Sequence, residues 1–171
     1  MKIDEKEELE KLLAIIQPAP MLRIGHFCDS DILLSDILDT FCQKSEYEQI
    51  LNCTDEGILT PLQTKYENSN YTKVKSFDLN RPNYLIQGKF YEYLFVTTWI
   101  EDNIKDSFLK KAHKTIKNAG LIILFIPRGD LYQRDIWSRL LEENYFVATN
   151  TIDLSSKYDV IISKKMHGWG G

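Results

Sequence analysis

Apolar and polar positions follow two periods along the chain, and the clearest run lies near its middle. Residues 91–97 are rich in aromatic and β-branched side chains, which is typical of a buried strand. Residues 101–118 carry one apolar stripe, with acidic residues first and lysines last, and this pattern predicts a helix that stops at Gly120. Residues 121–126 are apolar at every position, which indicates a strand covered on both faces. Two buried strands joined by a helical crossover are most simply parallel, so this unit predicts the middle of an α/β sheet.

The segments before this central unit continue the alternation of strands and helices. An amphipathic helix at the N-terminus ends before Pro18 and packs on a sheet edge or forms a dimer contact. The predicted elements are, in order, a helix at 4–16, a strand at 21–25, a helix capped by Asp29 or Ser30, a strand at 47–53, a weak helix or loop at 60–68, a strand at 73–77 and an irregular segment at 79–90.

The segments after the central unit predict a closing hairpin. A helix ends near Glu143, and strands follow at 145–152 and 158–163. The short gap between these two strands forces them to be antiparallel. The whole pattern predicts a single doubly wound α/β domain with a mostly parallel seven-stranded sheet and a C-terminal antiparallel hairpin. Residues 1–19 form an extra N-terminal helix, 20–165 the Rossmann-type domain and 166–171 a tail containing Trp169.

Composition narrows the classes of function. The 171 residues carry a net charge of −4, with −7 on residues 1–78 and +3 on residues 79–171. This balance argues against general nucleic-acid binding but leaves a local basic face open. No apolar run is long enough to span a bilayer, so we expect a cytoplasmic protein without membrane contact. The three cysteines contain no C-x-x-C pair, so we expect buried free thiols and no metal site.

The order of elements over residues 20–165 resembles the class I S-adenosylmethionine-dependent methyltransferases. In that family a seven-stranded sheet ends in an antiparallel hairpin, and a glycine commonly precedes the fifth strand, as Gly120 does here. The resemblance implies the strand order 3-2-1-4-5-7-6. The family's first strand runs into an acidic-x-Gly-x-Gly-x-Gly turn that holds the cofactor. The resemblance places this turn at residues 23–29, where Gly25 is the one glycine kept, Arg23 replaces the acid, and His26 and Phe27 also border the cofactor.

The resemblance also implies roles for polar and aromatic residues after the later strands. Asp55 or Glu56 is positioned to bond the ribose hydroxyls, Asp78 to meet the adenine amino group, and Trp99 to stack on a ring. Each of these residues has a structural alternative, because carboxylates after strands often cap helices and a tryptophan often packs in a core or at its rim. His26 is either a general base at the end of the first strand or a structural histidine.

Two main readings of function remain open. One is a methyltransferase with an atypical cofactor turn and an unknown substrate, which requires an open crevice bordered by His26, Asp55, Asp78 and Trp99. The other is a methyltransferase-like scaffold whose crevice is filled by Arg23 and Phe27 and which acts through protein or RNA contacts. A module for another nucleotide, using Arg23 for an anionic group, is a third reading. Because Arg23 would place its positive charge next to the methionine ammonium of the cofactor, we expect S-adenosylmethionine to bind weakly or not at all.

Overall fold

The computed structural model describes residues 2–85 and 90–166, with side chains from residue 5 onward, and these residues form one seven-stranded sheet with helices on both faces. Short 3-10 turns precede or follow two of the helices, at Leu13–Ile15 and Asp102–Ile104. The strands and helices are α1 Lys2–Leu12, β1 Arg23–Cys28, α2 Leu33–Ser45, β2 Glu48–Cys53, α3 Glu56–Lys65, β3 Thr72–Ser76, β4 Tyr91–Val96, α4 Lys105–His113, β5 Ile116–Pro127, α5 Leu131–Glu143, β6 Phe146–Asp153 and β7 Tyr158–Lys165.

The strand order is β3-β2-β1-β4-β5-β7-β6, which confirms the predicted topology. The first five strands run parallel, while β7 is antiparallel to both β5 and β6. The central strands β4 and β5 are the most apolar in sequence. Most side chains of residues 93–96 in β4 and 121–126 in β5 are buried. Burial on both faces explains why these two strands could be recognised as unbroken apolar runs.

Two apolar layers cover the two faces of the sheet. On one face, Leu9 and Leu12 of α1 share a cluster with Leu34 and Leu38 of α2 and with Ile24 of β1. On the other face, α4 and α5 pack on the opposite side chains of the same strands. This second cluster contains Phe27, Leu94, Ile122, Phe108, Leu109, Trp137 and Leu141. Ile24 and Phe27 of β1 point into opposite layers, as expected for a central strand that is covered on both faces.

The segment between β3 and β4 forms no helix in its described part, residues 77–85, and covers the sheet with aromatic rings instead. The ring centroids of Phe27 and Phe77 lie 4.7 Å apart, and those of Phe77 and Tyr84 lie 4.9 Å apart. Phe108 of α4 closes this cluster at 5.6 Å from Phe27. Edge-to-face pairs of this kind add stability beyond the apolar area that they bury. Phe27 is therefore part of the core.

The predicted boundary between α4 and β5 is wrong. The helix ends at His113, and β5 begins at Ile116 because Ile116 pairs with Tyr91 of β4. Gly120 therefore lies inside a strand and does not end a helix. The register jumps between Tyr91 and Tyr93, which leaves residues 117–120 as a bulge in β5.

Three further boundaries differ from the prediction. The strand predicted at 21–25 is β1, which extends to Cys28. Neither Asp29 nor Ser30 caps α2, which begins at Leu33 without a side-chain cap. The weak helix at 60–68 is α3, which begins at Glu56 because the Asp55 carboxylate accepts a hydrogen bond from the backbone N–H of Gly57 at 2.8 Å.

The N-terminal helix shares an apolar cluster with α2 and with Ile123 of β5 and Val160 of β7, on a face of the sheet. Its use in a dimer stays a prediction. Residues 167–171, which include Trp169, lie outside the described residues. Among the described helices, none has the length and apolar composition needed to cross a membrane.

Candidate functional site

The carboxyl ends of parallel strands form the edge at which open α/β sheets bind ligands. In this protein that edge, called here the carboxyl edge, consists of the residues directly after β1 to β4: Asp29, Thr54, Asp55, Glu56, Asp78, Thr98 and Trp99. Four predicted site residues lie on it, namely Asp55, Glu56, Asp78 and Trp99. The other three, Gly25, His26 and Phe27, lie inside β1 and are buried.

The assignment of residues 23–29 to a ligand-binding turn is wrong, because this stretch is mostly strand. Gly25 is a packing glycine: a Cβ atom there would lie 2.7 Å from the ring of Tyr91. His26 is fully buried, and its Nε2 atom lies 2.8 Å from Oγ1 of Thr97. The carbonyl oxygen of Phe27 can take the single Thr97 hydroxyl proton, so we infer that the His26 N–H donates to Thr97.

Burial also determines the charge of His26. Desolvation lowers the pKa of His26 from 6.5 to about 4, and the Gln49 side chain opposes this shift only in part. The ring is therefore neutral at neutral pH. With no exposed surface, it is not available to a ligand as a general base in this conformation.

Arg23 occupies the opposite end of β1 from the carboxyl edge. It lies five positions before Cys28, a distance of about 16 Å along an extended strand. Its guanidinium Nε atom forms an ion pair with Glu48 at 3.1 Å. The prediction that Arg23 opposes the methionine ammonium, or fills the crevice, is therefore wrong.

The turn between β1 and α2 consists of Asp29, Ser30, Asp31 and Ile32 and contains no glycine. Asp29 is held in place, since its Oδ2 atom accepts a hydrogen bond from the backbone N–H of Trp99 at 2.9 Å. Side chains thus stand at every position of the turn, where a glycine-rich turn would let the backbone approach a ligand.

Direct protein contacts span the carboxyl edge above the end of β1. Thr54 follows β2 and Thr98 follows β4, and their hydroxyl oxygens lie 2.6 Å apart. The backbone N–H and the hydroxyl of Thr54 also donate to the carbonyl oxygen of Cys28, at 2.8 and 3.1 Å. The two strands that flank β1 are therefore joined by side chains over its end, at the point where the sheet reverses its strand order. We call this contact the threonine bridge.

The carboxylates of the carboxyl edge are exposed and have local partners. Asp55 caps α3, Glu56 accepts a hydrogen bond from the Ser76 hydroxyl, and Asp78 accepts one from the backbone N–H of Asn80 at 2.9 Å. These contacts match the structural alternative, in which such carboxylates cap helices and turns. Their assignment to a cofactor stays a prediction.

A buried lysine that the sequence reading missed supports Trp99. Lys105 is fully buried, and its ammonium donates to the carbonyl oxygen of Ile100 at 2.6 Å and to Asp102. It lies 5.2 Å from the ring centroid of Trp99 and 5.1 Å from that of Trp137. Trp99 is 49% exposed, so one face of its ring packs near this cation while the rest meets solvent. In the sequence, Lys105 stands at the start of an apolar stripe. This position fits a solvated lysine as well as a buried one.

The described residues contain no group of three or more His, Cys, Asp or Glu side chains that could hold a metal ion. Of the histidines in the described part of the chain, His26 bonds to Thr97 and His113 packs against Phe146. The polar groups described on this edge include threonine hydroxyls, carboxylates and the Trp99 ring.

Comparison with known proteins identifies the fold. No protein-family model matches the chain, and no curated protein sequence matches it. Among solved structures, the CurJ carbon methyltransferase matches 95% of this chain with a TM-score of 0.71 and 13% identity. This chain spans about half of that protein, 54% of its length. An S-adenosylmethionine-dependent O-methyltransferase from Thermotoga maritima matches 95% of this chain and 64% of its own, with a TM-score of 0.71 and 13% identity.

A third match is the fibrillarin pre-rRNA processing protein from Methanococcus jannaschii, with a TM-score of 0.69 and 14% identity over 89% of this chain and 70% of its own. At such identities the likeness concerns the fold alone. The strand order, the antiparallel hairpin and these matches agree. This chain has the fold of the class I S-adenosylmethionine-dependent methyltransferases.

Proposed function

We propose that this protein is a methyltransferase-like scaffold that does not use S-adenosylmethionine and acts through contacts of its surface with a partner protein. The threonine bridge is the observation that carries the proposal. It joins the ends of β2 and β4 at 2.6 Å, over the strand end where the fold family holds its cofactor. A ligand on this spot would have to separate Thr54 from Thr98.

The turn after β1 supports the same proposal. A cofactor approaching residues 29–32 meets side chains at each position. Asp29 is already committed to the N–H of Trp99. Opening this turn would break that exposed hydrogen bond, and a hydrogen bond typically contributes about 0.5–1.5 kcal/mol.

A second candidate is an atypical S-adenosylmethionine-dependent methyltransferase. The exposed carboxylates of Asp55 and Asp78 and the half-exposed Trp99 ring favour it, because all three remain within reach of a ligand on the carboxyl edge. In this case the threonine bridge opens when the cofactor binds. Two hydrogen bonds to charged carboxylates contribute about 1.5–3 kcal/mol each, which must exceed the cost of opening.

Calorimetric titration of the purified protein with S-adenosylmethionine and with S-adenosylhomocysteine separates the two candidates. The scaffold predicts no saturable heat for either compound and no cofactor released from denatured protein. Low-micromolar binding to the wild type overturns the scaffold proposal and selects the enzyme.

Two matched variants test the cause. Thr54→Ala with Thr98→Ala removes the threonine bridge and its volume, whereas Thr54→Val with Thr98→Val removes the hydrogen bond and keeps the volume. Binding gained only by the alanine pair identifies the bridge as the obstacle. An absence of binding in both pairs assigns the obstacle to the turn after β1. Substitutions of Arg23 or Phe27 would not test this site, because Arg23 lies at the far end of β1 and Phe27 lies in the core.

A further inference from the structure

Two cysteines face each other at the carboxyl ends of neighbouring strands. Cys28 is the last residue of β1, Cys53 is the last residue of β2, and the two are register partners in the parallel ladder. Partners in such a ladder point to the same face of the sheet. Both are free thiols in one small apolar cluster with Leu62 and Tyr66, and the Cys53 thiol donates a hydrogen bond to the backbone carbonyl oxygen of Asp55 at 3.1 Å.

The backbone geometry lies close to what a disulfide needs. Neighbouring strands are about 4.8 Å apart, which is within the range of about 4.4–6.8 Å that disulfides show between Cα atoms. The Cβ atoms of a disulfide are about 3.8 Å apart, so closure has to draw these two Cβ atoms together by roughly 1 Å. Each cysteine is the last residue of its strand, so this movement does not have to break the strand-pairing hydrogen bonds on both sides of the cysteine. The resulting bond would be strained and easily reduced.

We propose that Cys28 and Cys53 form a modification site, a dithiol that a small-molecule disulfide such as oxidised glutathione converts into an internal disulfide. The Cys53 thiolate attacks one sulfur of the reagent and releases one reduced thiol. The Cys28 thiolate then attacks the mixed disulfide at Cys53, forms the S–S bond and releases the second reduced thiol. Each protein thiol loses its proton to solvent, and the reagent accepts the two electrons. Cys53 attacks first because 2% of its surface is exposed, whereas Cys28 has no exposed surface.

Local electrostatics make the reaction slow and dependent on pH. Burial, followed by Cys53, Asp29 and Asp31, raises the pKa of the Cys28 thiol to about 12, and burial also raises the pKa of Cys53. Little thiolate exists near neutral pH. Below these pKa values the rate should rise about tenfold for each unit of pH, since the thiolate is the attacking species.

The disulfide would also reach the carboxyl edge. The carbonyl oxygen of Cys28 accepts both hydrogen bonds from Thr54, and Asp29, the next residue, holds the backbone of Trp99. Drawing Cys28 toward Cys53 changes both attachments. Trp99 fluorescence should therefore change on oxidation. The dithiol is independent of the proposed function, because it exists whether or not a cofactor binds.

The test is oxidation of the folded protein with excess oxidised glutathione at mildly alkaline pH, followed by alkylation and mass spectrometry. We expect the mass of the protein to fall by two hydrogen atoms. The peptide map should contain a crosslinked pair with Cys28 and Cys53, and Cys42 should be alkylated. Dithiothreitol should restore both thiols. Cys42 is a matched control, because it is equally buried but lies alone on α2.

Variants define the outcomes. Cys42→Ser should keep the internal disulfide, Cys53→Ser should abolish it, and Trp99→Phe should keep the disulfide but lose the fluorescence change. Cys53→Ser can also perturb folding, so its circular dichroism is compared with that of Cys42→Ser. The peptide map of the wild type tests the proposal without any variant. Oxidation only in denaturant, a stable glutathione adduct without the internal bond, or pairing through Cys42 overturns the proposal.

Discussion

His26 illustrates how the surroundings of one residue set its role. The histidine was a candidate general base, yet it is fully buried against Thr97 and its pKa is lowered to about 4 by desolvation. His113 is also buried, and desolvation, followed by Lys165, lowers its pKa to about 4. In both cases, as the pH falls, the histidine binds a proton at a higher pH in the unfolded state than in the folded state. Stability from these groups is complete above about pH 6.5 and is lost as the pH falls toward 4.

We therefore expect the free energy of unfolding to decrease between about pH 6.5 and pH 5, before most carboxylates titrate. Each histidine should contribute roughly 2 kcal/mol over this interval, at about 1.4 kcal/mol per pKa unit. Urea unfolding at pH 7.5 and pH 5 measures the loss for the wild type. His26→Gln should retain about half of it, and His26→Gln with His113→Gln should retain little. An equal loss in the wild type and both variants would show that other groups cause the pH dependence.

Residue patterns predicted only part of the carboxyl edge, for physical reasons. Asp55, Asp78 and Trp99 were found because a polar or aromatic residue directly after a strand must lie at the edge. The threonine bridge and the Cys28–Cys53 pair were missed, since each joins residues from strands that are distant in sequence. Lys105 was missed because burial of a lysine depends on rings and carbonyl groups supplied by other segments.

At the level of elements, two of the wrong boundaries share one cause. Residues 26–28 of β1 pair with β2 and β4, so the strand continues past Gly25 into residues that the family resemblance had assigned to a turn. Residues 116–118 fit a helical stripe, but pairing of Ile116 with Tyr91 makes them part of β5. Hydrogen bonds to neighbouring strands overrode the local preference in both places. Such pairings are not visible in a local pattern.

Gly120 gives the bulge of β5 a testable role. A Cβ atom at this position would lie 2.8 Å from the carbonyl oxygen of Glu92 and 2.9 Å from that of Lys117. Backbone atoms in a sheet cannot move away as a flexible side chain can. We therefore expect Gly120→Ala to lower the free energy of unfolding by about 1–3 kcal/mol, the typical cost of overpacking.

Gly57→Ala is the matched control for this substitution. Gly57 lies in the exposed first turn of α3, where the nearest atom to an added Cβ is Oδ1 of Asp55 at 3.1 Å. Because alanine favours a helix over glycine, stability should stay the same or rise by up to about 1 kcal/mol. Both variants are compared by urea unfolding at one pH. Equal stability of Gly120→Ala and the wild type would mean that the bulge can relax around a methyl group.

For the whole molecule, the prediction of the strand order combined patterns in the sequence with the family resemblance. The apolar runs of β4 and β5 identify central strands, the short loop before β7 forces a hairpin, and the resemblance supplied the remaining order. Function could not be predicted in the same way, since the family's fold persists while the residues of its ligand edge change. The scaffold proposal rests on those edge residues.

The distribution of charge over the molecule gives a last prediction, on RNA as an alternative partner. The net charge is −4, and the lysine-rich end of α4 is the main candidate for a local basic face. Lys110 there is paired with Asp106, and Lys111 lies 5.3 Å from the ring centroid of Tyr84, which leaves Lys114 exposed just after the helix. Lys110 is already paired and Lys111 packs over a ring, so this end of α4 supplies few phosphate contacts, and non-specific affinity depends on the number of such contacts.

We therefore expect fluorescence anisotropy with labelled RNA, both single-stranded and hairpin, to show no submicromolar binding at physiological salt. The variant with Lys110→Glu, Lys111→Glu and Lys114→Glu should behave like the wild type. Its charge-preserving control replaces the same three lysines with arginine. Submicromolar binding by the wild type that is lost in the glutamate variant and kept in the arginine variant would identify α4 as an RNA-binding surface. The dependence of log affinity on log salt concentration should then weaken by about three units, one for each phosphate contact removed.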